Sequence, residues 1–449
     1  MDISTAALAS LIALAIVVII SCVNEDLHVG YLSIAYAIIV GGIFGGLNGA
    51  AILRYFPVSL FMILAGVTFL FAMAQENGTM EKLTTHAIRL CKGNNAFIPV
   101  AVYIISTILT MIGPGNIAIP ALLAPVMMPV AARLKMSAFL MTLIIVGSAN
   151  GAGMSPIAPT GIIINGLLEK MAPALGFSEA AMASIGWKVF FNSFVAQGFV
   201  NFGGFLVMGG FAWMRMQRGL TVNLEDFAPK PEPFTNKQLG TIATIVALVI
   251  LVITPGLPGM KTALPKGVLL MLANVGTVAF ILSGFMLMFS VADSKKAIKL
   301  MPWGVIMMVC GVTVLIEVMD KSGGLNAMVK MIGAISNPAS VNFWLGLFTG
   351  IISAYSSSSG VVVPMFMPLV PGLITEIGGG NSISMISTIV VGSHLVDTSP
   401  LSTLGAICIA CADDSEDKSK LFRKLLIWGL SMSIVGAIIC YIIFGLLNI

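Results

Sequence analysis

The chain has 449 residues, of which 58% are hydrophobic and only 9% charged, and its formal net charge is +4. Soluble domains carry about a quarter charged residues, so this composition cannot cover a water-soluble surface; it predicts an all-α polytopic membrane protein. The small positive excess is explained by its distribution over the loops and calls for no nucleic-acid partner.

In chain order, the apolar run 3–21 lacks a basic leader and a clear cleavage site, so it reads as a first crossing and not a signal peptide. Further crossings are predicted over 30–53, 57–75, 137–168 and 186–214. The apolar stretch 96–132 is interrupted at Ile112-Gly113-Pro114-Gly115-Asn116. After a polar linker at 215–238, which mixes Glu225, Asp226 and Glu232 with Pro229, Pro231 and Pro233, crossings follow at 239–256, 267–291, 302–319, 382–412 and 421–447. A second interrupted stretch, 340–373, breaks at Ser356-Ser357-Ser358-Ser359-Gly360. The halves of both interrupted stretches read as too short to cross, so each is predicted to be a re-entrant hairpin. Bare backbone at that depth is tolerated only where protein or a wet cavity satisfies it. The segments 83–92 and 325–336 read as amphipathic surface helices. Sixteen Lys and Arg fall on one side of these crossings and seven on the other. By the positive-inside rule the first side is cytoplasmic, and both termini face outward.

The second half repeats the first. Pro57-Val58-Ser59 and Gly66-Val67-Thr68 match Pro302-Trp303-Gly304 and Gly311-Val312-Thr313 at a shift of 245; Pro120 matches Pro364, Ser155-Pro156-Ile157 matches Ser399-Pro400-Leu401, and Gly161 matches Gly405, all at 244. Each half, 1–214 and 239–449, holds five crossings and one hairpin, and an odd number of crossings inverts the second half. Inverted repeats are typical of secondary transporters, with substrate and ion sites near the midplane.

The chemistry is expected where spans 137–168 and 382–412 are broken, at Gly147-Ser148-Ala149-Asn150-Gly151-Ala152-Gly153-Met154-Ser155-Pro156 and at Gly392-Ser393-His394-Leu395-Val396-Asp397-Thr398-Ser399-Pro400. A proline obstructs a continuous helix, freeing carbonyls that suit a hard cation and N–H groups that suit an anion. Two corners are predicted. The first combines Asn116 with Ser148, Asn150, Ser155 and Thr160. The second combines Ser356, Ser357, Ser358 and Ser359 with Ser393, Asp397, Thr398, Ser399, Ser402 and Thr403. Of these, Ser148, Asn150, Ser357, Ser393, Asp397 and Thr398 are assigned to the cation; Asn116, Ser155, Thr160, Ser358, Ser359, His394, Ser399 and Thr403 are assigned to substrate. Two facing anion sites fit a dicarboxylate, with a monoanion still open. Ser and Thr also serve helix packing in membranes. An ionisable residue inside a span marks a functional site, so Asp397 is the sharpest candidate, as sodium ligand, proton carrier or partner of His394. His394 either contacts substrate or orients Asp397. Glu317 sits near the outer end of its span and reads as water-exposed. Cys408 and Cys411 form a C-x-x-C with no second pair or His to complete a metal set. No phosphate loop or nucleophile elbow occurs, so neither ATP-driven pumping nor enzyme activity is expected.

Gln75-Glu76-Asn77-Gly78-Thr79, then Ala87-Ile88-Arg89-Leu90, then Gly151-Ala152-Gly153-Met154-Ser155-Pro156-Ile157 resemble the malonate/dicarboxylate carrier family, which groups with the divalent anion–sodium symporters. The resemblance implies a homodimer in a bacterial inner membrane. Each protomer would have a scaffold (3–75 and 239–319) and a transport domain holding both hairpins, moving by an elevator mechanism coupled to Na+. The symporters carry Ser-Asn-Thr at each hairpin tip; here the tips read Gly115-Asn116-Ile117 and Ser357-Ser358-Ser359. A proton-coupled carrier, an anion exchanger and, in a different class, an ion channel are the alternatives.

Overall fold

A computed structural model describes residues 4–23, 27–89, 95–221, 230–256 and 260–447. Among the described residues the regular structure is helical and contains no strand. The first half is built from α1 (Thr5–Val23), α2 (Val29–Ile43), α3 (Val58–Glu76), α4 (Thr79–Arg89), α5 (Ile98–Ile112), α6 (Gly115–Arg133), α7 (Ala138–Gly153), α8 (Pro159–Leu175) and α9 (Glu179–Phe205). The second half contributes α10 (Asn236–Ile253), α11 (Val275–Met288), α12 (Ser294–Leu300), α13 (Trp303–Lys321), α14 (Gly324–Gly333), α15 (Val341–Ser353), α16 (Ser358–Glu376), α17 (Ser382–Leu395), α18 (Thr403–Ala410) and α19 (Lys418–Cys440).

Eight helices are long and apolar enough to cross a membrane by length and composition, among the described residues. Their outward faces are apolar: α9 turns Phe191, Val195 and Phe199 outward at four-residue intervals. The chain is an integral membrane protein. Three hairpin legs are longer than the sequence reading allowed. Asn95–Ile112, Gly115–Arg133 and Ser358–Glu376 each reach crossing length, and only α15 is shorter. The length is regained because the first turn is compressed into Gly113 and Pro114, with Gly113 at φ 147 and Gly115 at φ 92, backbone conformations open to glycine. The crossing at 30–53 is two helices, α2 and the short Gly49–Leu53, whose start Asn48 caps by accepting from Ala51 N–H. That at 267–291 is also two, Lys266–Ala273 and α11, because Asn274 ends the first and caps the second through Thr277 N–H. Amphipathic helices occur at α4 and α14; Leu90, Cys91 and Lys92 of the predicted 83–92 helix lie outside the described residues, as do Glu225, Asp226 and Pro229 of the linker.

The helices pack crosswise between the halves. α2 lies on α13 and α11 lies on α3. Small residues set both crossings: a methyl at Gly311 would overlap the Gly30 carbonyl, and one at Gly276 would overlap the backbone of Ile63. Close backbone approach at small residues is how membrane helices gain packing energy. The Glu76-Asn77-Gly78-Thr79 motif is a clasp in this frame. Asn77 Oδ1 accepts from Thr79 N–H and hydroxyl, Asn77 Nδ2 donates to Thr241 at 2.8 Å, and its carbonyl accepts from Gln238. Glu76 accepts from Asp293 N–H at 2.9 Å. Asp293 in turn caps α12, and the N–H groups of Lys296 and Lys295 hold its carboxyl below the usual range. α7 is buried along its whole length between α5, α6 and α9, and α17 lies between α15, α9 and α19.

Candidate functional site

Both predicted breaks are present, and they are built alike. α7 stops at Gly153 and α8 starts at Pro159; α17 stops at Leu395, runs through one tight turn at Val396–Thr398, and α18 starts at Thr403. In the first break Ala158 N–H donates to the Ser155 carbonyl at 2.8 Å, and in the second Ser402 N–H donates to the Ser399 carbonyl at 3.0 Å. The two serine hydroxyls also act alike, Ser155 Oγ accepting from Ile157 N–H at 3.5 Å and Ser399 Oγ from Leu401 N–H at 3.2 Å. Pro156 and Pro400 carry no N–H and so fix where the ladder fails.

The two expected corners are one site. Asn116, at the first hairpin tip, donates through Nδ2 to Asn150 Oδ1 at 3.0 Å. Asn150 Nδ2 donates across to the second break, to the His394 carbonyl at 3.0 Å and to Asp397 Oδ2 at 3.3 Å. Asp397 Oδ1 accepts from Ser358 Oγ, at the second hairpin tip, at 2.7 Å, and Ser402 adds a further hydrogen bond to the carboxylate. The return path runs through Thr160. Its hydroxyl lies 3.4 Å from Asn116 Oδ1 and 3.1 Å from Ser359 Oγ, and Ser359 Oγ lies 2.9 Å from His394 Nε2. His394 Nδ1 is 2.9 Å from the Val390 carbonyl, which can only accept, so Nδ1 carries a proton and Nε2 is the ring atom that faces Ser359. The ring of contacts thus joins both hairpin tips to both breaks, with Asn116, Asn150, Thr160, Ser358, His394 and Asp397 all buried.

His394 and Asp397 do not form a side-chain pair: the imidazole faces Ser359 and the carboxylate faces Ser358. The carboxylate's partners are all neutral. A buried charge without an opposite charge is costly, and the carboxylate with the hydroxyl oxygens of Ser358 and Ser402 beside it is a hard donor set suited to a small cation.

Other predicted residues lie beside the ring. Ser148 and Ser393 donate to carbonyls of their own helices, Ile144 at 2.6 Å and Val390 at 3.0 Å, which is packing geometry. Ser357 caps α16 by accepting from Gly360 N–H at 3.1 Å. Thr398 Oγ1 is buried beside Asp397 in sequence and has no hydrogen-bond partner among the described residues. Thr403 is exposed at the start of α18. Cys408 and Cys411 are free thiols, and no metal-binding group of His, Cys, Asp and Glu occurs among the described residues. Glu317 is 30% exposed and paired with Lys170 at 2.7 Å.

Sequence reasoning missed Ser353, whose hydroxyl lies 2.7 Å from Ser358 Oγ and extends the ring. It also missed the inner face of α9, where Ser193, Gln197 and Asn201 are buried and Gln197 donates to the Val391 carbonyl at 3.4 Å. The available signal was three polar residues at four-residue intervals, which share one face of a helix.

The Asn150 bridge gives a direct expectation. Asn150→Ala removes one partner each from Asn116 and Asp397. Buried polar groups left unpaired cost about 1–3 kcal/mol each, so the variant's unfolding midpoint in detergent falls, and Asn150→Asp restores neither donor bond.

Residues 4–153 match the family model described as the dicarboxylate carrier protein MatC N-terminus. The match spans α1 to α7 and therefore includes Asn116 and Asn150, two of the ring's members. No curated protein matches the chain. Over that segment this integral membrane chain is similar to the dicarboxylate carrier family.

Proposed function

We propose that the chain is a secondary transporter that takes up a small dicarboxylate together with Na+, using two inverted repeats that move as an elevator. The observation that carries the reading is the buried ring around Asp397, made by both hairpin tips and both breaks. A carboxylate with only neutral partners is balanced by a cation, and a dianion brought to the same place needs cations with it. The breaks leave N–H groups at the starts of α8 and α18 for the two carboxylates of the substrate. Alike turns at Ser155–Ala158 and Ser399–Ser402 support the repeat, as do the matched hydroxyl bonds of Thr68 to Leu64 and Thr313 to Val309. The distribution of Lys and Arg supports an orientation with both termini outside, and the family resemblance supports a bacterial inner membrane and a homodimer.

Substrate and coupling are read together by thermal unfolding of the purified protein. Ligand at 100-fold its Kd stabilises by about 2.7 kcal/mol. A dicarboxylate with sodium is expected to raise the midpoint more than either alone, and sodium-dependent uptake should follow in proteoliposomes. If no di- or monocarboxylate raised it with any cation, the substrate class would be wrong. A specific contact also favours proton coupling as the second reading: the hydroxyls of Ser359 and Thr160 stand in a row beside His394 Nε2. Uptake that follows a pH gradient without sodium would decide for it.

The elevator reading has its own test at Lys170 and Glu317, which join α8 of the proposed moving part to α13 of the proposed scaffold. An exposed pair of this kind contributes about 0–1 kcal/mol, so its loss is harmless but a covalent tie is not. With both residues changed to Cys and bridged by a short bifunctional thiol reagent, uptake should stop while the substrate-induced thermal shift persists. Undiminished uptake after complete bridging would overturn the elevator.

A further inference from the structure

Buried hydroxyls in this protein are regularly satisfied by the carbonyl one turn back. Ser33, Thr68, Thr142, Ser148, Thr313 and Thr349 all do this, at 2.6–2.9 Å. The first leg of the first hairpin breaks the rule. Of eleven buried side-chain polar atoms without a partner among the described residues, five belong to this leg: Asn95 Oδ1, Tyr103 OH, Ser106 Oγ, Thr107 Oγ1 and Thr110 Oγ1. At 3.6 residues per turn, positions 103, 106, 107 and 110 fall within an arc of about 100°. Ile104 and Ile108, away from that arc, are the exposed lipid-facing positions. Ser106 and Thr110 are fully buried. Tyr103 packs its ring edge against Phe202 of α9 and its hydroxyl against Gly198. The stripe starts at Asn95, at the hairpin's base, and ends one turn and a half before Asn116, a member of the central ring.

The second hairpin offers the contrast. On α15, Asn342 accepts from Thr388, Thr349 bonds its own helix, and Ser353 meets Ser358. One hairpin leg is therefore satisfied by protein, and the other presents from Tyr103 to Thr110 a row of hydroxyls without partners among the described residues.

We propose that this row is a hydrated track. A file of water molecules, held by Tyr103, Ser106, Thr107 and Thr110, lets the monovalent cation of the central ring exchange with the aqueous phase near Asn95. Buried polar groups that lack protein partners are satisfied by ordered water where the site is polar on several sides. The cation's part rests on the proposed function; the hydration does not.

The test separates the two. In the full-length protein with its native cysteines replaced, Thr107→Cys and Thr110→Cys should react with a small cationic methanethiosulfonate, and Ile104→Cys and Ile108→Cys should not. Sodium or substrate should slow the reaction at position 110. Equal or lower reactivity on the polar face than on the lipid face would overturn the track, whatever the protein transports. In the wild-type background, Ser106→Ala with Thr110→Val removes both hydroxyls at little change of shape. The loss of a polar group from a working site is worth about tenfold, so uptake should slow by that factor with the substrate-induced thermal shift unchanged. A variant that is more stable and transports at the wild-type rate would make the stripe a packing defect and overturn the proposal. Absence of carboxylate uptake by the wild type would sink the proposed function and leave the cysteine result to decide hydration alone.

Discussion

Asp397→Asn is expected to abolish cation-dependent uptake and leave a folded protein. The amide has the carboxylate's shape. Its oxygen can still accept from Asn150, and its nitrogen can donate to Ser358, whose own proton then turns to Ser353, 2.7 Å away. The fold therefore keeps the bonds to Asn150 and Ser358, and removing a buried charge relieves desolvation, so the unfolding midpoint without ligand should stay or rise. The cation loses its only charged ligand in the ring. Losing merely an outer partner of a metal ligand costs about 10–100-fold in affinity, and that range is the floor here. The measurements are sodium-induced thermal shift and sodium-driven uptake in proteoliposomes. Both should vanish together. Retained sodium dependence would move the cation site away from Asp397. Uptake that had followed a pH gradient and no longer does would make Asp397 the proton carrier.

Much of this site was legible because membrane burial makes polar residues conspicuous. Asp397 and His394 stand out in an apolar span, and the two Ser-Pro breaks are marked by prolines that no continuous helix accepts easily. Sequence separation hid the rest. The spacing of His394 and Asp397 on one helix left a direct pair open beside a coupling role, but the turn at Val396–Thr398 rotates the carboxylate toward Ser358 and Asn150. Two symmetric corners were expected because the repeat is symmetric, yet Asn150 reaches 244 positions along the chain to the His394 carbonyl and merges them. Ser148 and Ser393 were expected on the cation because serine is a good ligand. One turn back each has a helix carbonyl in reach, and a local bond to it costs no further ordering. Hairpin leg lengths were underestimated because the polar run at 356–359 counted as loop, whereas the helix restarts at Ser358 under the cap from Ser357.

The second large effect concerns Gly161 and Gly405, the matched glycines just inside α8 and α18. A methyl on Gly161 would overlap the Ser155 carbonyl, and one on Gly405 would overlap the Ser399 carbonyl. These are the same carbonyls that close the turns with Ala158 and Ser402. The obstacle is backbone, which cannot swing aside as a side chain can, so either turn must open to admit alanine. Overpacking of a filled interior costs about 1–3 kcal/mol, and the movement is delivered straight to the break that positions Asn150 or Asp397. Gly161→Ala and Gly405→Ala should therefore each lower the unfolding midpoint by a similar amount and each stop uptake. Gly203, in α9, is the control, because a methyl added there would meet nothing within 4 Å. Gly203→Ala should stabilise by about 0.4–1 kcal/mol through the unfolded chain with uptake intact. Equal losses at the two glycines would tie the halves to one repeated device. A loss at Gly405 alone would mean that only the Asp397 break grips ligand, and the two-fold reading of the substrate, one carboxylate to each break, would fall with it.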